Sequence, residues 1–264
     1  MFVLIGAPVY KREWILDDWF SAIERQDFPL SDIGFVFECA PDDHGTMEKL
    51  MEFQMRHPEL RCFDIQVNST VEHETHVEGK RQWMPHQYQK MATLRNNLLE
   101  RVVAHSPDRY FSLDTDVILE SPTTISELVK LTQTHDAVAP LMFMALEGIK
   151  FPNLMQWVLG PGGSASRRPP STYDYGNVFR SDVIMAAVMM SKPVYLSARY
   201  YWHRQGEDLG WSADCAMKGF KLYSASHIYT PHIMSRAALA RYKEIGDDRW
   251  REAKEAKEVN YIVI

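Results

Sequence analysis

An aromatic, β-prone run, Arg109-Tyr110-Phe111-Ser112-Leu113, delivers two carboxylates, Asp114 and Asp116, one residue apart, and continues as Val117-Ile118-Leu119. On an open α/β sheet, ligands gather beyond the carboxyl ends of the strands, and oxygen ligands held at that edge suit a divalent metal. Magnesium or manganese bound there neutralises a diphosphate. The plainer alternative is that Asp114 caps a turn and Asp116 is solvated. A second acidic pair, Glu207-Asp208, opens a helical stretch at Gly206-Glu207-Asp208-Leu209-Gly210-Trp211, where the helix dipole favours carboxylates even without a function. Two other groups carry less. His73-Glu74-Thr75-His76 lacks a helical apolar frame and a third ligand at metal-site spacing, and Gly160-Pro161-Gly162-Gly163-Ser164 lacks the Lys-Ser/Thr of a phosphate loop.

The elements that must position these residues follow from periodicity. Phe2 to Ile5 reads as a buried strand, Gly6-Ala7-Pro8 as a turn, and Glu13 to Arg25 as a helix. Gly34 to Cys39 is a second strand, Thr46 to Arg56 a helix, and Arg61 to Val67 a third strand. Gln87 to Ala104 places Met91, Leu94, Leu98 and Val102 on one helical stripe before a strand over Tyr110 to Leu119. Farther on, Pro193 to Ala198 reads as a strand, Asp208 to Gly219 as a helix closed by glycine, Lys221 to Ser224 as a strand, and Arg241 to Glu258 as a charged surface helix. Alternation of this kind implies an α/β fold with a mainly parallel sheet and right-handed crossovers. The polar stretches 68–85 and 147–182 are long for simple connections; the second, rich in Gly and Pro, suits a lid or an acceptor-side loop.

Composition sets the outer bounds. At 264 residues with 45% apolar and 12% aromatic content, the chain can bury a large core as one domain. A formal charge of -6 argues against a general nucleic-acid or anionic-membrane coat, although Arg167-Arg168 can make a local phosphate contact. Cys39, Cys62 and Cys215 form neither a disulfide framework nor a zinc pattern. With no leader-like start and no apolar run approaching about 18 residues, the chain reads as soluble and cytoplasmic.

Taken in order, Leu94-Arg95-Asn96-Asn97, Asp114-Thr115-Asp116, Gly206-Glu207-Asp208 and His232 resemble the GT-A glycosyltransferases, which move a sugar from a nucleotide-diphosphate donor. The resemblance spans roughly residues 1–232, and Tyr175-Gly176-Asn177 between the acidic motifs is most similar to the fungal mannosyltransferase branch. It implies a GT-A, Rossmann-like sheet flanked by helices, over residues 1–240, with a variable insert at about 147–182 and a C-terminal helix and tail over 241–264. It also implies Mn2+ or Mg2+ and a UDP- or GDP-sugar donor. In such enzymes the metal bridges the donor's phosphates, so Asp116 is expected as a direct ligand, and Asp114 as a ligand or a contact to the ribose or a metal-bound water. His232 is expected to return to the same metal, with His227 as rival; an imidazole among oxygen ligands suits manganese better than calcium.

Pro8-Val9-Tyr10 is similar to the family's nucleotide-binding opening, and Asp43 and Asp64 are expected near the base or ribose unless they are turn and edge residues. Arg95 can clasp a phosphate oxygen or form a surface salt bridge. Asp208, with Glu207, is the expected catalytic carboxylate: a general base toward the acceptor hydroxyl in inverting members, a positioning group in retaining ones. Trp211, Tyr175 and Asn177, together with Tyr173 and Gly176, are expected toward the acceptor, which the sequence leaves open among a glycan, a lipid-linked saccharide, a protein, a small molecule and a modified nucleic-acid base. A nucleotidyltransferase is the rival enzyme, although Gly6-Ala7-Pro8-Val9-Tyr10 is a poor phosphate loop. The non-enzymatic rival is an inactive nucleotide- or glycan-binding module, against which Asp116 and Asp208 both speak.

Overall fold

The computed structural model describes residues 1–68, 85–146, 149–167, 174 and 176–246. Strand and helix alternate through β1 (Val3–Val9), α1 (Leu16–Glu24), β2 (Ile33–Cys39), α2 (His44–Arg56), β3 (Cys62–Val67), α3 (Pro85–His105) and β4 (Arg109–Leu113). There follow α4 (Thr124–Leu131), β5 (Ala137–Leu141), β6 (Phe143–Leu146), β7 (Ile149–Pro152), β8 (Leu154–Trp157) and β9 (Ala165–Arg167). The chain continues with β10 (Val178–Ser181), β11 (Val183–Ile184), β12 (Ala187–Ser191), α5 (Lys192–Ser197), α6 (Glu207–Met217), β13 (Leu222–Tyr229) and α7 (Arg236–Ile245).

The main sheet has eight strands in the order β10-β13-β5-β12-β4-β1-β2-β3. Strands β4, β1, β2 and β3 pair in parallel, as do β13 and β5; only β10 and β12 run against their neighbours. The parallel strands therefore share one carboxyl edge, where loops collect. Along β1, Val3, Ile5, Ala7 and Val9 face a core completed by Leu16, Trp19, Phe20 and Ile23 of α1, Leu50 and Phe53 of α2, and Ile125 and Leu128 of α4. Leu4 faces the other way, toward Leu98, Leu99 and Val102 of α3, Val194 and Tyr195 of α5, and Trp211 of α6. Each such side chain, fully buried, contributes roughly 1.5–3 kcal/mol of transfer free energy, and two filled faces fix the strand register.

Several elements depart from the pattern reading. β1 runs on through Gly6-Ala7-Pro8 because it is central: β2 pairs with it as far as Val9, whereas β4 pairs only to Gly6, so Pro8 lies where one flank is already free. β4 stops at Leu113, and Asp114 to Val117 form a turn closed by the Val117 amide on the Asp114 carbonyl at 3.0 Å. The expected strand at Pro193 to Ala198 is instead α5. Proline suits a first helical turn, and burial of Val194 and Tyr195, with the Tyr195 hydroxyl donating to the Pro107 carbonyl at 2.6 Å, overrides their β preference.

The insert also contains more structure than its composition suggests. β8 and β9 pair with β11, just beyond the insert, in a three-stranded sheet, and Asn153 is fully buried with its amide nitrogen donating to the Pro140 carbonyl at 3.1 Å. β5 and β12 fall outside the set of expected strands. The last helix begins at Arg236, before the expected 241 boundary, capped by Ser235, and the tail from 247 onward lies outside the described residues. Among the described residues no helix is long and apolar enough to cross a membrane.

Candidate active site

After β4 the chain is stapled to the segment following β13. Val117 bridges His232, the Ile118 amide donates to the Pro231 carbonyl at 3.0 Å, and the Ile233 amide donates to the Asp116 carbonyl at 2.6 Å. Backbone pairing thereby sets two side chains together across 116 positions of sequence: Asp116 Oδ1 and His232 Nε2 stand 3.1 Å apart, both side chains 5% exposed. Adjacent ligands about 2.1 Å from an octahedral ion are about 3 Å apart, so this carboxylate and imidazole fit one manganese- or magnesium-sized ion. Asp116 Oδ2 accepts from Arg12 Nη2 at 3.1 Å. His227 is exposed and lies 3.5 Å from Glu127, so the structure sets His232, not His227, against the acidic motif.

Asp114, expected as a ligand or as a contact to the ribose or a metal-bound water, is held by an arginine. Its Oδ1 accepts from Arg95 Nη2 at 2.8 Å, and among the described residues no group of three or more acidic, histidine or cysteine side chains is arranged to hold an ion. Arg95 itself is buried within the apolar stripe of α3, one turn before Leu98 and Leu99, so it is not a surface salt bridge. Each nitrogen of its guanidinium has a partner: besides Nη2, Nε donates to Glu207 Oε1 at 3.1 Å and Nη1 to Ser112 Oγ at 3.2 Å, with its carbon 5.5 Å from the Tyr200 ring centre. Burial alone would lower the proton affinity of Arg95; the charges of Asp114, Asp208 and Glu207 reverse that and hold it well above its ordinary value.

The acidic pair is presented by a rigid corner. Gly206, the residue before α6, has φ of 130°, a conformation open to glycine, and Glu207 and Asp208 begin the helix. A Cβ at Gly210 would lie 2.0 Å from the Tyr201 carbonyl oxygen, so glycine there lets the preceding loop lie on the helix. Asn96 clamps the same loop, its amide nitrogen donating to the Tyr200 carbonyl and its amide oxygen accepting from the Tyr200 amide, both at 2.8 Å. Burial pushes the half-buried Asp208 carboxyl well above the usual carboxylate range; Arg95 pulls it back in part, while the charges of Glu207 and Asp114 add to the rise. Asp208 thus holds a proton more tightly than an exposed aspartate.

Other expected site residues have structural partners. Asp43 is the N-cap of α2, accepting from the Thr46 amide at 3.3 Å and from the Lys11 amide. Asp64 ties β3 to α3 through Arg101 and His105; burial pushes its carboxyl up, but these two partners together hold it below the ordinary value. Pro8 and Tyr10 lie at the carboxyl end of β1, half-buried, with Lys11 Nζ 5.0 Å from the Tyr10 ring centre. Trp211 cannot meet an acceptor: it is fully buried, stacked on Tyr200 at 5.8 Å. Asn177 is exposed just before β10, and β13, β5 and β12 lie between that strand and β4. Tyr173, Tyr175, Arg168 and His73 to His76 lie outside the described residues. Sequence reasoning missed Arg12, Ser112 and Tyr200. Their partners are far along the chain, but a charge inside the α3 stripe was a signal that Arg95 needed buried acids.

Among solved structures, the chain is similar to the mannosyltransferase PcManGT from Pyrobaculum calidifontis in complex with GDP-Man and Mn2+, at 13% identity and a TM-score of 0.56, covering 98% of this chain and 65% of that one. It is similar to S. aureus TarS 1-349 in complex with UDP, at 12% identity and a TM-score of 0.55, covering 98% and 67%. It also resembles CMP:2-keto-3-deoxy-manno-octonic acid synthetase complexed with CTP, at 13% identity and a TM-score of 0.50, covering 96% and 98%. The chain thus spans less than two thirds of the length of the mannosyltransferase, and identities this low establish the shared fold alone. No curated protein matches in sequence. The model for the glycosyltransferase family 25 N-terminal domain matches residues 2–149, more than half of the sequence, and includes β1 to β4 and the acidic turn. The chain, a mixed and mainly parallel α/β sheet of the GT-A type, belongs to that glycosyltransferase family.

Proposed function

We propose that the protein is a metal-dependent glycosyltransferase that moves a sugar from a nucleoside-diphosphate donor to an acceptor hydroxyl. The observation that carries this reading is the meeting, at one sheet edge, of the Asp116–His232 pair with Asp114 and Glu207, both bonded to Arg95, and with Asp208, whose charge acts on Arg95 without a bond. Asp116 and His232 would hold a divalent ion, which would supply charge neutralisation for the departing diphosphate. That the mannosyltransferase of similar fold holds Mn2+ and GDP-Man supports the choice of ion and of donor class. Pro8 and Tyr10 flank the nucleotide, and Asp114, fixed by Arg95, reaches the ribose. Arg95 itself is a positioning residue, because it is buried and each nitrogen of its guanidinium donates to Asp114, Glu207 or Ser112.

Asp208 accepts the proton of the acceptor hydroxyl as the acceptor oxygen bonds to the anomeric carbon and the sugar–phosphate bond breaks. Asn177 and Tyr175 are assigned to the acceptor side. Nucleotidyl transfer has only a likeness of fold in its favour, while the family match favours sugar transfer. A panel of UDP- and GDP-sugars with manganese, read by release of nucleoside diphosphate with and without sugar acceptors, tests the reading. Metal-stimulated release from one donor supports it; no release from any donor, with pyrophosphate released instead when nucleoside triphosphates and sugar acceptors are supplied in a parallel panel, would replace it.

A further inference from the structure

Arg12 pairs with the oxygen of Asp116 that faces away from His232, and we propose that it is an exchangeable counter-ion: it neutralises Asp116 in the empty site and transfers to the donor's diphosphate when a divalent ion binds. The inference rests on the metal reading of Asp116 and His232. Its geometry is specific. The Arg12 side chain is 17% exposed, and its Nη2 sits 3.1 Å from Asp116 Oδ2, the oxygen that does not face His232. The backbone beneath it is pinned to the start of α2 at two successive amides, Lys11 to the Asp43 carboxylate and Arg12 to Thr46 Oγ at 2.9 Å, with Lys11 at φ 52°. The guanidinium can therefore change partner by side-chain rotation alone.

Electrostatics supply the drive. A buried carboxylate without a cation is costly, and Arg12 removes that cost from the empty site. Once a divalent ion holds Asp116, the guanidinium beside it becomes a like charge, and a diphosphate brought to the ion offers the bidentate oxygens that arginine prefers. Asp116 thus keeps a positive partner in both states. The same fork becomes available to the phosphate only when the ion is present, which couples metal and donor binding.

The test separates two affinities. Manganese binding without nucleotide is followed by the loss of the free-ion paramagnetic resonance signal, and UDP and GDP binding at saturating manganese by calorimetry, for the native chain, Arg12→Gln, Arg12→Lys and Asp116→Asn. Arg12→Gln should bind manganese alone about fivefold more tightly, because a competing charge is gone, and should bind the preferred diphosphate about tenfold more weakly, because a charge-assisted pair is lost. Arg12→Lys should restore most of the manganese effect and only part of the diphosphate effect. If Arg12→Gln weakens both affinities or moves neither, the exchange is wrong, while a loss of manganese binding in Asp116→Asn leaves the metal reading standing. If Asp116→Asn binds manganese as the native chain does, the metal reading falls and the exchange with it.

Discussion

Replacing Arg95 by methionine keeps most of the side-chain volume on α3 and removes the one guanidinium on which Glu207, Asp114 and Ser112 converge. The bonds lost are 3.1, 2.8 and 3.2 Å long. Glu207 is left with a side chain only 10% exposed, Asp114 with one 25% exposed, and Asp208 loses the charge that offsets its burial. Breaking a buried pair by removing one partner costs about 3–5 kcal/mol. For a chain of this size, about 2–4 °C per kcal/mol gives a fall of roughly 6–20 °C in Tm. Because the stranded acids regain neutrality by taking up protons, the loss should be smaller at pH 5 than at pH 8. The double variant Arg95→Met/Glu207→Gln should recover a substantial part of it, since a neutral pair replaces an unpaired charge. Urea and thermal unfolding at both pH values measure all of this. A loss below about 1 kcal/mol, the scale of an exposed ion pair, would refute the claim of a buried charge centre; so would a double variant no more stable than the single one.

Asp208→Asn should keep nucleoside-diphosphate affinity within a few-fold while turnover falls by about 100-fold or more; binding and rate falling together would move Asp208 to the donor side. Its folded carboxyl is raised above the unfolded value of about 3.9, so its contribution to stability is full below that pH and is lost as pH rises through the folded value. The Tm difference between Asp208→Asn and the native chain should therefore grow in favour of the variant from pH 4 to pH 8, and a flat difference would contradict the raised proton affinity. His232→Ala should weaken manganese-supported nucleotide binding about tenfold, with His227→Ala as a neutral control; the reverse pattern would assign the site to the exposed histidine. Gly210→Ala should destabilise the fold by about 1–3 kcal/mol despite alanine's better helix propensity, because its Cβ meets the Tyr201 carbonyl; a stabilised variant would show that the loop yields freely.

The first half of the fold was legible because its signals are local: short apolar strands and a 3.6-residue stripe on α3 lie within a turn or two of what they determine, although Asp43, read as a base or ribose contact or a turn residue, proves to cap α2. The second half was less so. β5 and β12 are recognisable as strands only once their neighbours in the sheet are known, and Val194 and Tyr195 are β-prone residues that tertiary burial holds in a helix. The chemical groups at the site were legible by type, but their partnerships were not. Asp114 and Asp116 are two residues apart, yet one turns to Arg95 on α3 and the other to His232 and Arg12, a division set by the turn after β4 and the Val117–His232 bridge. Trp211 reads as a sugar platform or, more commonly for a helix tryptophan, as a core residue, and its burial under Tyr200 decides for the core.

The central claim is that Asp116 holds the divalent ion to which a nucleoside diphosphate binds. Calorimetric titration of UDP and GDP into the native chain and Asp116→Asn, each with manganese and with a chelator, measures it directly. One nucleotide should bind the native chain only when manganese is present, and Asp116→Asn, folded to the same extent by circular dichroism, should lose that metal-dependent increment. Equal manganese-dependent binding by the two proteins would contradict the account.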